Sequence, residues 1–182
     1  MRRMMMGCVG GRIRTANITN MVVNGNFVND ASWAGTGAEF TVSANVATFR
    51  GNSAQDTLAQ VRPFVIGRKY YLSAQINTGA AGTQLRINDG LGVAAIDVPN
   101  TGIYEFVSIL FTAVNTSASG AIYLIDFRSS GWTNILMKYV SLVELTTPFS
   151  ANNEPTKADM DAYMAAQANK WLNGTQAMTL YY

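Results

Sequence analysis

The chain has 182 residues, of which 48% are hydrophobic and only 13% are charged. Such a hydrophobic share excludes a disordered protein, and the length is sufficient for one domain with its own core plus extensions. The chain has no histidine, which removes the commonest general base and metal ligand, and its single cysteine, Cys8, excludes an internal disulfide. Uncharged polar residues replace the missing charges, which is typical of a β-rich surface protein and equally of a subunit covered by its partners.

Residues 1–20 have little periodicity and are predicted to form an N-terminal arm. Four of the 13 basic residues of the chain lie in this arm, at Arg2, Arg3, Arg12 and Arg14. No aromatic residues lie between them, so we do not expect nucleic acid as a partner and regard an acidic neighbouring subunit as the better candidate. The apolar run at residues 4–6 is too short for a signal sequence, and no stretch approaches the ~18–20 apolar residues of a membrane span.

Residues 21–145 consist of short extended segments separated by turn signals. The clearest period of two lies in residues 70–77, where every second residue is apolar and faces the expected core. Residues 40–42 and 46–49 are joined by Ser-Ala-Asn, a hairpin signature. The other predicted strands cover residues 58–65, 85–87, 103–112, 121–127 and 135–145. About eight to ten short strands, with no long helix before residue 156, predict an all-β jelly-roll sandwich over residues 21–145.

Residues 146–182 are predicted to contain a linker, one helix and an apolar tail. Pro155 ends the linker, and Thr156 with Asp159 forms a capping-box pattern at the start of the helix. We expect the helix to run from residue 156 to 172 and to end at Asn173-Gly174. Its apolar face would contain Met160, Tyr163, Met164, Gln167 and Trp171. The tail, residues 175–182, is expected to pack on the sandwich or on a neighbouring subunit.

The C-terminal segment has a distinctive residue pattern. Residues 153–161 read Asn-Glu-Pro-Thr-Lys-Ala-Asp-Met-Asp, and residues 171–175 read Trp-Leu-Asn-Gly-Thr. This pattern resembles a segment of bacteriophage tail and fibre proteins that usually follows a carbohydrate-binding-module-like sandwich. The usual form has glycine where this chain has Asn152, and an acidic residue where it has Asn173. The resemblance implies a virion protein that is assembled in the host cytoplasm and displayed on the particle surface.

A second resemblance covers residues 21–145. Residues 22–27 read Val-Val-Asn-Gly-Asn-Phe and are followed by Trp33, and three later segments match in order. These segments are residues 67–73, 102–106 and 138–142. Together they resemble carbohydrate-binding modules of the family-4/9 type, which implies a β-sandwich and a glycan ligand. Lys138 stands where the family has an aspartate that often helps to hold calcium, so we expect no metal there.

Catalytic patterns are absent from the sequence. The 11 carboxylates are scattered, and Asp159 and Asp161, two apart on a predicted helix, point in different directions. Nucleophilic arrangements that need histidine are impossible, and neither metal-ligand spacing nor a phosphate-binding glycine loop is present. We therefore predict a protein that is not an enzyme and that has no cofactor and no metal.

Four residues are predicted to bind a ligand. Trp33 and Trp132 lie among small loop residues, so their flat rings suit the C–H faces of sugars. Tyr71 and Gln75 share the outward face of one predicted strand, where they would pair with sugar hydroxyls. The alternative is that either tryptophan closes an open end of the sandwich. In that case the segments that match the family have only a structural role, and the sandwich has no glycan affinity.

These observations predict a non-enzymatic bacteriophage virion surface protein. It would be a tail fibre, head fibre or decoration component that adheres to host or environmental glycans, attached through its N-terminal arm or C-terminal helix. Its expected partners are other virion proteins, further copies of itself, and cell-surface polysaccharide. By analogy with phage fibres we expect a trimer. Two alternatives stay open: an architectural virion subunit without a ligand, and a carbohydrate-binding module of a polysaccharide-degrading system.

Overall fold

The computed structural model describes residues 13–36, 39–53 and 55–181 of the chain. The strands of these residues are β1 (Ile13–Thr19), β2 (Ala34–Thr36), β3 (Glu39–Ser43), β4 (Val46–Arg50), β5 (Asp56–Val61), β6 (Lys69–Thr78), β7 (Thr83–Asn88), β8 (Val93–Asp97), β9 (Glu105–Thr112), β10 (Ala121–Asp126), β11 (Ile135–Glu144) and β12 (Thr175–Tyr181). The α-helices are α1 (Thr146–Phe149) and α2 (Lys157–Ala166). Within the described residues, no helix has the length and apolar character that crossing a membrane requires.

Ten of these strands form two five-stranded antiparallel sheets that pack face to face. The front sheet has the strand order β3-β4-β11-β6-β9, and the back sheet has the order β2-β5-β10-β7-β8. Neighbouring strands in each sheet are often far apart in the sequence, as in a jelly roll. The predicted all-β sandwich with a C-terminal helix is therefore confirmed.

The core between the sheets follows from the alternation of the strands. In β6 the inward side chains Tyr70, Leu72, Ala74 and Ile76 are all buried, as their period of two predicts. The buried partners of these residues in the same core include Phe27, Phe49, Leu58, Phe64, Leu85, Ile87, Leu124, Val140 and Leu142. Burial of each such side chain contributes about 1.5–3 kcal/mol, which stabilises the sandwich without disulfides.

A second hydrophobic core lies on the outer face of the front sheet. The strand β1 pairs with β12 along its whole length, and this terminal ribbon and α2 cover part of that face. The buried members of this core are Ile18, Tyr71, Val143, Leu145, Phe149, Met160, Met164, Leu172, Met178 and Leu180. The predicted apolar tail thus packs on the sandwich of its own chain as β12.

Helix α2 begins with a capping box and is attached to the sheet by the carboxylate of Asp161. Thr156 accepts a hydrogen bond from the backbone N–H of Asp159, and the Asp159 carboxylate accepts one from the backbone N–H of Thr156, as predicted. Asp161 accepts hydrogen bonds from the hydroxyls of Tyr71 and Ser108, both at 2.6 Å. Burial alone would raise the pKa of Asp161, but these bonds and the ammonium of Lys157 lower it overall.

The helix ends earlier than its sequence pattern predicts. Gln167 already has an extended backbone, and Gly174 (φ +68°) belongs to the turn before β12 instead of the helix end. The backbone N–H of Leu172 donates to the Ser141 hydroxyl at 3.2 Å, and Leu172 is fully buried. The chain therefore leaves the helix to place Leu172 in the second core, a tertiary contact that outweighs the helical spacing.

The predicted N-terminal arm is partly a strand. Its residues 1–12, including Cys8, lie outside the described residues, whereas Ile13–Thr19 form β1. In β1 only Ile18 is fully buried, and residues such as Thr15 and Asn17 are exposed. A strand with so little apolar alternation has almost no signal in the sequence, so its pairing with β12 could not be foreseen.

A buried carboxylate joins two loops at one end of the sandwich. Asp89 accepts backbone hydrogen bonds from Gly92 and Val114, each at 2.6 Å, and from Leu91 and Asn115. Burial by itself raises the pKa of Asp89, but these donors stabilise the charged form, and the pKa lies below its ordinary value. The contribution of the charged Asp89 to the free energy of unfolding is complete above the unfolded-state pKa of about 3.9. It is lost as the pH falls through the lower folded-state pKa.

We expect Asp89→Asn to lower the free energy of unfolding at pH 7 by about 1–3 kcal/mol, because buried N–H groups lose a charged acceptor. The variant should also lose less stability than the wild type between pH 5 and pH 3. Urea unfolding followed by tryptophan fluorescence at both pH values measures this. The exposed carboxylate of Asp30 provides the matched control, Asp30→Asn. An Asp89→Asn protein as stable as this control at pH 7 would contradict the expectation.

Candidate functional site

A small open cleft lies beside Trp132, in the loop that joins β10 to β11. It has a volume of about 220 Å³ and is lined by Glu39, Arg50, Gly51, Asn52 and Trp132. Glu39 and Arg50 are opposite each other in the β3–β4 pair. The cleft therefore combines a half-buried aromatic ring with a carboxylate, a guanidinium and an amide at one edge of the front sheet.

The loop that carries Trp132 is held by a buried ion pair. Asp126, which is fully buried, accepts from the Arg128 guanidinium at 2.6 Å (Oδ2–Nη2). Arg128 also donates to the backbone carbonyl of Thr133 at 3.0 Å, and its Cζ lies 6.0 Å from the centroid of the Trp132 ring. The guanidinium thus connects the end of β10 to Thr133, which directly follows Trp132, and this limits the positions that the ring can take.

Gly51 lies directly against the ring of Trp132. A Cβ atom at this position would lie 3.1 Å from Trp132 Cε3 and 3.2 Å from Asp126 Oδ2. Both distances are tighter than ordinary van der Waals contact, so any larger residue would displace the ring or the buried carboxylate. The absence of a side chain at Gly51 lets the ring lie against the backbone at the end of β4.

The chemistry of the cleft suits a polyhydroxylated ligand. The ring of Trp132 offers a flat apolar surface, while Glu39 accepts hydrogen bonds, Arg50 donates them and Asn52 does both. A drug-sized ligand usually occupies a pocket of about 300–1,000 Å³. The smaller cleft can therefore hold only a short part of a longer chain, with the rest lying along the surface.

The other three predicted ligand residues are placed differently. Trp33 is only 8% exposed, packs against Phe27 with ring centroids 5.0 Å apart, and belongs to the core. Tyr71 does face outward from β6, but it is fully buried in the second core, and its hydroxyl donates to Asp161 of α2. Gln75 is half-buried, and its side-chain amide donates to the carbonyl of Asn169. With α2 docked, Trp132 is the one of the four whose ring lines an open cleft.

Three residues of the cleft were not indicated by the sequence. Glu39, Arg50 and Asn52 come from the β3–β4 hairpin and its exit, some eighty positions before Trp132 in the chain. The predicted hairpin of residues 40–42 and 46–49 stops one position short of Glu39 and Arg50, which the structure shows to be opposite each other. Nothing in the sequence, however, indicated that this hairpin lies beside the loop of Trp132.

A larger groove of about 490 Å³ lies at another place, between β1, the β5–β6 loop and α1. Its walls are largely apolar, including Met21, Pro63, Val65 and Pro148, and it contains Arg68 and Glu144, whose charged atoms are 3.6 Å apart. No aromatic ring of the predicted ligand set lies in it. Among the described residues, no group of three or more acidic, histidine or cysteine side chains is arranged to hold a metal ion.

Known structures with the same fold include carbohydrate-binding modules and one phage protein domain. A family 4 module superposes with a TM-score of 0.53 at 12% identity, over 68% of this chain and 99% of the module. The second N-terminal cellulose-binding domain of Cellulomonas fimi β-1,4-glucanase C gives 0.53 at 16% identity, over 69% and 94%. The enzymatically active domain of bacteriophage CBA120 tailspike protein 4 gives 0.54 at 14% identity, over 70% of this chain and 22% of that chain.

At these identities the likeness establishes the fold alone. Neither a protein-family model nor a curated protein sequence matches the chain.

Proposed function

We propose that this protein is a non-enzymatic virion surface protein of a bacteriophage that binds glycans through the Trp132 cleft. The observation that carries the proposal is the geometry of Trp132, a half-buried ring seated on Gly51 in an open cleft with Glu39, Arg50 and Asn52 around it. Flat rings flanked by hydrogen-bonding side chains suit sugars, which have apolar C–H faces and polar edges.

The fold supports the glycan ligand. Two of its structural neighbours are named as carbohydrate-binding or cellulose-binding modules, and this chain spans almost their whole length. The two carboxylates that lie closest together in the sequence have structural partners. Asp159 caps α2, and Asp161 is bonded to Tyr71, Ser108 and Lys157, so neither faces a second carboxylate across a cleft.

The virion role is supported by two independent resemblances. Residues 153–175 resemble a segment of phage tail and fibre proteins, and the sandwich has the fold of a tailspike domain. Because Met160 and Met164 of α2 pack on their own sandwich, the N-terminal arm is the better candidate for attachment to other virion proteins. The proposal keeps a trimer as the oligomeric state, by analogy with phage fibres.

The test is binding of the purified protein to a panel of bacterial-surface and plant polysaccharides, with Trp132→Ala measured beside the wild type. We expect the variant to bind about tenfold or more weakly, because it loses the aromatic ring that lines the cleft. Tyr123→Ala is the matched control, since Tyr123 is a half-buried aromatic residue on the outer side of β10 in the back sheet. Its affinity should equal that of the wild type.

Other outcomes separate the alternatives. Saturable binding that Trp132→Ala retains would overturn the assignment of the site to the cleft. A folded protein that binds nothing in the panel would be an architectural subunit. A gene that lies beside polysaccharide-degrading enzymes, instead of beside capsid or tail genes, would favour a carbohydrate-binding module of such a system.

A further inference from the structure

Helix α2 and the terminal ribbon leave part of the front sheet's outer face uncovered. Phe106, Gln75 and Lys138 are register partners on β9, β6 and β11, so they form a row across three adjacent strands. All three are half-buried, whereas Ser108, Ser73 and Ser141, the next such row, are buried beneath the C-terminal segment. The first row therefore reaches solvent beside the end of α2.

Two lysines at this place contact aromatic rings: Lys138 belongs to the row, and Lys170 ends the short 3-10 turn Ala168–Lys170 that follows α2. Lys138 Nζ lies 3.8 Å from the ring centroid of Tyr104 and 5.4 Å from that of Tyr139. Lys170 Nζ lies 5.5 Å from the ring centroid of Phe106. Such cation–π contacts hold an ammonium at a defined place but leave its N–H donors available. We call these five residues, with Trp171, the lysine–aromatic face.

Neither ammonium forms an ion pair with a carboxylate of the described residues. The ion pairs among the described residues use Arg68, Lys69, Arg128 and Lys157, so Lys138 and Lys170 have no carboxylate partner within ion-pair distance in that part of the chain. The neighbouring Glu105 accepts a hydrogen bond from Thr101 at 2.8 Å and is the register partner of the inward-facing Ile76. Its carboxylate is therefore not placed to cancel the two positive charges.

A β-bulge places the aromatic ring of Tyr139 beside Lys138. The register of β11 against β6 shifts between Lys138 and Ser141, and Tyr139 there has a φ of +57°. A residue that is not glycine is rarely found in this conformation, and bulges often redirect a side chain at a binding site. The redirected ring of Tyr139 lies 6.0 Å from that of Trp171, whose Nε1–H donates to the Val140 carbonyl.

We infer that the lysine–aromatic face binds an acidic polysaccharide. Carboxylate groups of the chain pair with Lys138 and Lys170, and its sugar rings lie against Tyr139 and Trp171. The ammoniums of Lys138 and Lys170 lie against the rings of Tyr104 and Phe106, which are two residues apart in the chain, so they suit charges repeated along an extended polymer. Nucleic acid fits less well, because its binding commonly uses about 6–10 phosphate contacts. This site is additional to the Trp132 cleft and does not depend on it.

The experiment compares two forms of one polymer. Polygalacturonate and its fully methyl-esterified form have the same sugar backbone, but only the first is charged. We expect the wild type to bind polygalacturonate about tenfold or more tightly than the ester, with the affinity falling as salt is raised. The variant Lys138→Met/Lys170→Met should lose this preference, and Lys138→Arg/Lys170→Arg should keep most of it. Isothermal titration calorimetry measures the affinity of each of the three proteins for both polymers.

The matched control is a cation on the opposite face of the sandwich. Arg86 lies 4.6 Å over the ring of Phe127 and faces outward from the back sheet. Arg86→Met therefore removes a charge from a similar contact without touching the lysine–aromatic face. A loss of polygalacturonate binding in Arg86→Met equal to that of the double lysine variant would overturn the inference, because binding would then depend only on net charge.

Further outcomes distinguish this site from the cleft and from general attraction to anions. Trp132→Ala that still binds polygalacturonate, while the double lysine variant does not, supports a separate site. Equal affinity for poly-L-glutamate or single-stranded DNA would overturn the inference. A thermal unfolding curve for each variant shows that it is folded, and if Lys138→Met/Lys170→Met is not, Lys170→Met alone is used, since Lys170 is exposed.

Discussion

Asp126→Ala is expected to lower the free energy of unfolding by about 3–5 kcal/mol, because it leaves the almost buried guanidinium of Arg128 without its charged partner. The Asp126 side chain is completely buried and that of Arg128 is only 8% exposed. The carboxylate accepts from the Arg128 guanidinium through both oxygens, and also from the Arg128 backbone N–H at 3.1 Å. Thermal or urea unfolding measures the loss.

The same substitution should weaken glycan binding in molecules that remain folded. Arg128 connects Asp126 to Thr133 and lies beside Trp132, so a released guanidinium also releases the loop. The double variant Asp126→Ala/Arg128→Met tests the physical cause. It should be more stable than Asp126→Ala, because the uncompensated charge is gone. A double variant that is less stable than the single one would show that lost packing, and not an unpaired charge, is responsible.

Gly25→Ala is the second substitution with a large expected effect. A Cβ atom at Gly25 would clash with the carbonyl oxygen of Val140 and would lie 3.1 Å from Val22 Cγ1. The backbone N–H of Val140 also donates to the carbonyl of Gly25 at 2.8 Å, so the two backbones are held in direct contact. No side-chain rotation can relieve this clash, and we expect a loss of about 3 kcal/mol in the free energy of unfolding.

The control for this prediction is another glycine substitution. A Cβ atom at Gly79 would meet nothing within 4 Å, so Gly79→Ala should change the free energy of unfolding by less than about 0.5 kcal/mol. Urea unfolding of both variants decides the question. Equal stability of Gly25→Ala and Gly79→Ala would mean that the β11 bulge can move away from Gly25 at little cost. Such a result would also mean that the bulge does not fix the position of Tyr139.

Local patterns in the sequence were sufficient for much of the sandwich. The period of two in residues 70–77 predicted β6 and its buried face, and the Ser-Ala-Asn turn predicted the β3–β4 hairpin. The capping box of Thr156 and Asp159 predicted the start of α2. Each of these features depends on residues that are only a few positions apart in the chain, so neighbouring side chains alone specify it.

Other elements have no such local signal. Strands β1 and β8 contain few large apolar residues, and β2 has only three residues, so their place depends on the strands beside them. The end of α2 was predicted too late, because the burial of Leu172 against the sheet interrupts a continuous helical pattern. These features follow from long-range packing, which a pattern of one segment does not contain.

The candidate site divides in the same way. The sequence by itself determined the β-sandwich, the capped helix and the presence of Trp132 in a loop among small residues, since these depend on local periodicity and turn chemistry. Only the tertiary structure decided that Trp33 is core and that Tyr71 is buried in the second core. It also decided that Glu39 and Arg50 join Trp132, because such neighbours come from distant segments that the packing of two sheets brings together.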